Sequence, residues 1–229
     1  MIVKLLEVAR IGLSRVGLFN IPKEYWPVTG QYLPCQNLTD KTEVGFVNLF
    51  KVIGREGILS VGPLPERWQP GDMLACLPPR GKGFMLPPSV RRVGLLTIST
   101  SPICLLPLAA SALAQGAAVS LFCESIPPLE LLNRVSPRVE VGQISSLLEN
   151  LDWPDFLAVD IDHSELKTLS MLFTQADYPF EGQVLIRIPM PCRGLAECGV
   201  CAVKTTKGWK YACIDGPVFP LKEILHVAQ

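Results

Sequence analysis

Residues 93–124, VGLLTISTSPICLLPLAASALAQGAAVSLFCE, carry no charged side chain before the closing Glu124. A membrane helix needs only about 20 such residues, so the run has two readings and its interior has to choose between them. Ser99, Thr100, Ser101, Pro102, Pro107, Gln115 and Gly116 cut it into a short apolar run, a helix-length stretch closing on glycine, and a second short apolar run. A strand, a helix and a second strand, all buried, are what a sheet covered on both faces requires, and glycine is the usual residue just past a helix end. No membrane span is therefore expected.

Downstream the same grammar repeats. FLAVDI (156–161) and QVLIRI (183–188) read as further buried strands, with room for helices between them. Asp162 stands where a helix N-cap would, and Glu165 three residues later completes a capping-box pattern. Alternating strands and helices imply a parallel sheet with right-handed crossovers. Upstream, residues 1–88 hold short apolar runs separated by turn chemistry such as VTGQY, VIGREG and QPGD, the pattern of a small barrel or sandwich. The expected fold is thus α/β plus β: a β-barrel in 1–88, a nucleotide-binding-like α/β domain in 89–190, and a cysteine-bearing segment in 191–229.

Composition narrows the partners. With 21 basic and 21 acidic side chains the net charge is zero, and no basic stripe is present, so nucleic acid is not an expected ligand. Hydrophobic residues at 48% against 18% charged describe a core-rich folded chain rather than a disordered one. The N-terminus places Lys4, Glu7 and Arg10 among its apolar residues, which is not a secretory signal. The expected compartment is the cytoplasm, where eight cysteines point to metal ligands or buried thiols rather than disulfides. Cys35, Cys76, Cys104 and Cys123 lie alone in apolar surroundings and are read as core, and His226 as a solvated tail residue.

The remaining four, Cys192, Cys198, Cys201 and Cys213, are spaced by five, two and eleven residues. Plant-type ferredoxins hold a 2Fe-2S cluster with C-x4-C-x2-C and a distant fourth cysteine, one residue from this spacing. Gly194, Ala196, Gly199 and Ala202 keep the loop small enough for backbone to approach an inorganic core. Zinc prefers two CxxC-like pairs, and only Cys198 and Cys201 form one. A redox dithiol would use that pair and leave Cys192 and Cys213 without a role.

MPCRGLAECGVCAVKTTKGWKYACIDGPVF, from Met190 to Phe219, resembles the cluster-binding segment of the electron transfer subunit of dihydroorotate dehydrogenase B. The shared features are a methionine before the first cysteine, glycine between the first two, and Asp215 to Phe219 after the last. The resemblance implies a 2Fe-2S cluster with Cys192 and Cys198 on one iron and Cys201 and Cys213 on the other. It also implies an FAD-binding barrel, a nicotinamide-binding domain, and a partner, the FMN-containing dehydrogenase subunit of pyrimidine biosynthesis. QPGDMLACLPPRGKGF (69–84) is similar to the family's flavin-side loop, which makes Gly81, Gly83 and Phe84 candidate flavin contacts; Gly57, Leu59 and Ser60 stand for a second flavin element. Two departures are visible. TDKTEVGFVNLFK (39–51) lacks the family's flavin-binding arginine and serine, and the dinucleotide turn reads Ser99, Thr100, Ser101, Pro102 with no glycine.

The chain is accordingly expected to carry single electrons between a reduced nicotinamide or flavin donor and a partner oxidoreductase, without a complete active site of its own. The alternative is a non-catalytic zinc-binding scaffold or interaction module on the same fold.

Overall fold

The computed structural model describes residues 1–12, 14–40, 46–55, 58–173 and 178–226. Six strands close a barrel in the order β1-β2-β5-β4-β3-β6: β1 (Ile2–Ile11), β2 (Ser14–Asn20), β3 (Tyr32–Asn37), β4 (Val47–Arg55), β5 (Ile58–Gly62) and β6 (Met73–Cys76). Their side chains alternate as a half-buried strand must. Val3 and Leu5 point inward from β1 while Ile2 and Lys4 point out. Phe19, Leu33, Leu49, Leu59, Trp68 and Leu74 fill the interior.

Closure also corrects one expectation. The β3–β6 pairing sets Cys35 directly opposite Cys76, with Cα atoms 4.2 Å apart, and the two form a disulfide. Two cysteines 41 residues apart are isolated in the sequence and adjacent once the barrel closes. Cys104 and Cys123 are buried free thiols, as expected.

The second layer is a six-stranded sheet. After β7 (Arg92–Ile98), helix α1 (Leu106–Ala114) returns the chain to β8 (Ala118–Cys123), and α2 (Leu129–Leu132) leads to β9 (Val139–Gln143). Past α3 (Ile144–Glu149) the chain crosses to the other side of β7 and forms β10 (Phe156–Asp162), α4 (Leu166–Phe173) and β11 (Glu181–Arg187). These five strands are parallel. β7 and β10 are buried almost throughout, which is why both read as unbroken apolar runs. The edge strand β9 escapes sequence reading because most of VEVGQ faces away from the core. Asp162 caps as expected, accepting from the Ser164 N–H at 3.0 Å, but above a 3-10 turn that precedes α4. Glu165 departs from the capping box and accepts from the Thr168 hydroxyl at 2.7 Å.

The final segment is anchored to the sheet by its last strand. After the hairpin β12 (Ala202–Thr205) and β13 (Gly208–Tyr211), strand β14 (Val218–Pro220) pairs antiparallel with β11 and completes the sheet. Helix α5 (Leu221–Leu225) packs behind it. Val218, Phe219, Leu221 and Ile224 are all buried, each worth about 1.5–3 kcal/mol of apolar transfer. His226 is exposed, as expected, and its ring lies 3.0 Å from the Tyr178 hydroxyl.

Candidate functional site

Both motifs singled out in the sequence meet in space. The RGKGF loop of the barrel lies against the Gly216–Val218 stretch of the terminal segment. The Lys82 N–H donates to the Gly216 carbonyl at 2.5 Å, and Lys82 bridges Pro217 as a parallel neighbour. Gly81 has φ +75°, and a Cβ there would lie 2.6 Å from both Gly216 O and Pro217 Cδ. Gly30, at φ +92°, is equally tight against Val218. These glycines let two backbones touch. Gly83 abuts Val28 and Thr29, and Phe84 is buried.

Around the four cysteines the chain turns repeatedly into the left-handed region, at Arg193 (φ 59°), Gly194 (82°), Ala196 (57°) and Gly199 (70°). Such turns aim successive N–H groups at one point and make an anion-binding nest. Burial works against a charge on Cys192, but N–H groups of Glu197, Leu195 and Cys198, together with the Cys198 side chain, outweigh it and hold the thiol at about 6. Cys213 is pushed up to about 12 by burial and by the neighbouring Cys201 thiol, against the Ala196 N–H. Cys198 thus acts on the Cys192 thiol, and Cys201, with Cys192 behind it, on the Cys213 thiol. Among the described residues no three Cys, His, Asp or Glu side chains converge as a single metal ion would need. Cys201 and Cys213 are buried, Cys192 is half-buried and Cys198 is exposed.

The barrel supports this loop from beneath. Tyr32, fully buried, donates its hydroxyl to the Cys213 carbonyl at 3.1 Å. A Cβ on Gly194 would meet Tyr32 Oη at 2.5 Å and Arg80 Cδ at 3.0 Å. Arg80 Nε is buried with no hydrogen-bond partner.

A cavity of about 540 Å³ opens beside the cluster loop, between barrel and sheet, within the size range of cofactor sites. Phe46, Asn48 and Phe50 form its barrel side, Ser99 to Ser101 and Asp162 its sheet side, and Ile188 to Pro191 its floor. Asn48 Oδ1 is buried and unpartnered. Arg187 also reaches it, but its guanidinium is bound to Asp160, with Nε 2.6 Å from Oδ1 and a second bond from Nη2 to Oδ2. Asp160 is fully buried. Desolvation opposes the charge on Arg187, and the Asp160 carboxylate more than restores it. The same guanidinium faces Cys104, whose thiol burial nevertheless pushes to about 12.

The flavin contacts expected from the sequence lie outside this cavity. Leu59 belongs to the barrel core and Ser60 is buried; neither they nor Gly81, Gly83 and Phe84 line this cavity. Gly57 lies outside the described residues, as do 41–45 of the departed flavin motif. The cavity residues missed were Asn48 and Phe50, whose only sequence signal is their place in that motif.

A closed barrel leading into a parallel sheet is the fold of ferredoxin reductases. Its solved neighbours include an NADH-dependent reduced ferredoxin-NADP oxidoreductase studied for flavin-based electron bifurcation, at TM-score 0.75 and 15% identity over 96% of this chain and 88% of that one. Others are the ferredoxin reductase of carbazole 1,9a-dioxygenase (0.61; 13%; 79% and 69%) and a Neisseria gonorrhoeae ferredoxin NADP+ reductase with bound FAD and NADP (0.55; 16%; 82% and 97%). More narrowly, residues 190–225 match the family model of the iron-sulfur cluster binding domain of dihydroorotate dehydrogenase B. No curated protein sequence matches the chain. The terminal segment thus matches an iron-sulfur cluster binding domain, carried on a fold shared with ferredoxin reductases. No helix among the described residues is long and apolar enough to cross a membrane.

Proposed function

We propose that the chain is the iron-sulfur flavoprotein subunit of a two-part oxidoreductase, carrying electrons between a flavin in the 540 Å³ cavity and a 2Fe-2S cluster on Cys192, Cys198, Cys201 and Cys213. The observation that carries this reading is continuity: Met190 and Pro191 line the cavity, and the next residue is the first cluster ligand. Four cysteines within 22 residues can supply two irons with two sulfur ligands each, and the N–H groups of 195–198 suit the anionic sulfurs of such a cluster. FAD is bound in the Neisseria gonorrhoeae relative, and here the ring would lie between Phe46, Phe50 and the 99–101 turn. A bound flavin supplies the exchange between paired and single electrons. The chain's part is to exclude water with Phe46, Phe50 and Met190 and to hold the two centres close.

The partner docks over the exposed ligand Cys198. Leu195, Val200, Trp209, Tyr211 and Ile214 are all exposed apolar residues of the cluster segment, a concentration that marks an interaction surface. Following the family model, that partner is an FMN-containing dihydroorotate dehydrogenase subunit, in the cytoplasm.

Iron, acid-labile sulfide and flavin content of one anaerobic preparation tests the reading, together with electron paramagnetic resonance after dithionite. About two irons and two sulfides per chain with a reduced-cluster signal is the expected result. A colourless preparation with one zinc per chain would replace the proposal with the scaffold reading.

A further inference from the structure

In a doubly wound sheet a dinucleotide sits at the switch point, its pyrophosphate on free N–H groups of the first strand-to-helix turn. Here the switch lies between β7 and β10, and the protein's own groups already occupy the turn. Ser99 keeps a left-handed conformation, φ 53°, so the backbone retains the form usually given to glycine while adding a side chain. Its N–H donates to Glu124 Oε2 at 2.8 Å. Pro102 opens the following 3-10 turn and has no N–H to give. The Thr100 hydroxyl donates to the Asp160 carbonyl at 3.1 Å. Arg187, the cation beside the turn, is committed to Asp160.

A second cavity, about 330 Å³, continues from the turn on the β8 side, lined by Ser99, Cys123, Glu124, Pro127 and Pro128. This is where an adenosine half would lie. Glu124 stands immediately after β8, the place from which an acid in other dinucleotide domains hydrogen-bonds the ribose. In that role the carboxylate leaves the turn free. Here it is bonded to the turn itself.

We propose that Glu124 is a resident anion that takes the phosphate's place on the Ser99 turn and closes the crevice to nicotinamide dinucleotides. The fold family's nicotinamide site is thus not a site in this chain, and its reductant is a reduced centre on another protein. The closure stands on the turn alone and does not require the flavin or cluster assignment.

Calorimetric titration of the full chain, cluster intact, with ADP-ribose tests it, because ADP-ribose carries the pyrophosphate and both riboses but no redox centre. Wild type is expected to give no saturable heat at about 1 mM. Glu124→Ala, an exposed substitution that frees the N–H and removes a charge, is expected to bind at least about tenfold more tightly. Micromolar binding by wild type overturns the proposal, and a further loss on Glu124→Ala would assign the residue to the ribose instead. A variant that binds no better than wild type also overturns it. Loss of the cluster would appear in the visible spectrum and leave this result unaffected.

Discussion

Replacing Gly81 with alanine tests whether the RGKGF loop is a clasp for the cluster segment. The left-handed backbone at φ +75° costs an alanine about 1–2 kcal/mol. The new Cβ would lie 2.6 Å from Gly216 O and Pro217 Cδ, contacts that no side-chain rotation relieves, for about 1–3 kcal/mol of overpacking. Moving those atoms apart breaks the Lys82–Gly216 hydrogen bond, worth about 1 kcal/mol. The total is about 3–6 kcal/mol. Gly116→Ala is the control, since it has φ +82° with nothing within 4 Å of its Cβ and should lose only the about 1–2 kcal/mol of backbone strain. Urea unfolding gives both losses, and amide exchange in 216–224 should rise in Gly81→Ala alone. A difference between the two variants below about 1 kcal/mol would refute the clasp.

Three further outcomes are expected. Asp160→Asn should destabilise the fold by about 3–5 kcal/mol by leaving Arg187 buried without its counter-charge, and Asp160→Leu with Arg187→Met should recover most of the loss in the same urea assay. Glu223, held below the ordinary carboxylate range by Lys207 and then Lys210, joins α5 to the cluster hairpin at 2.6 and 2.8 Å. A folded-state value below the unfolded one adds stability that is present above the unfolded value near 4.3 and lost as pH falls through the folded one. Amide exchange across 202–211 should therefore accelerate below about pH 4 in wild type, whereas Glu223→Gln should already show the faster exchange at neutral pH. Removing the cluster with an iron chelator should loosen 192–215 while β14 and α5 stay protected, because Val218, Phe219, Leu221 and Ile224 have their own apolar seat; exchange mass spectrometry after chelation reads both regions.

Much of the architecture was legible in the residues alone. The apolar runs that became β7, β8, β10 and β11 are buried on both faces, so hydrophobicity by itself announced them, and Gly116 marked the end of α1 because a left-handed residue is needed there. The four cysteines proposed as ligands drew notice for a similar reason: wrapping a compact cluster demands cysteines close in sequence and small residues between them, and local requirements leave local traces. What stayed hidden was everything set by contacts between distant segments. The Cys35–Cys76 bond exists because barrel closure aligns β3 with β6, and β9 and β14 are edge strands whose short, mixed sequences carry little periodic signal. The role of Gly81 and Gly83 depended on what faces them, which is the terminal segment for Gly81 and the Val28–Thr29 turn for Gly83. Glu124 on the Ser99 N–H is the same kind of fact, a bond across 25 residues that no spacing rule encodes. Composition and period thus decided which elements form, while the packing of those elements against one another decided which surfaces are left to hold a cofactor.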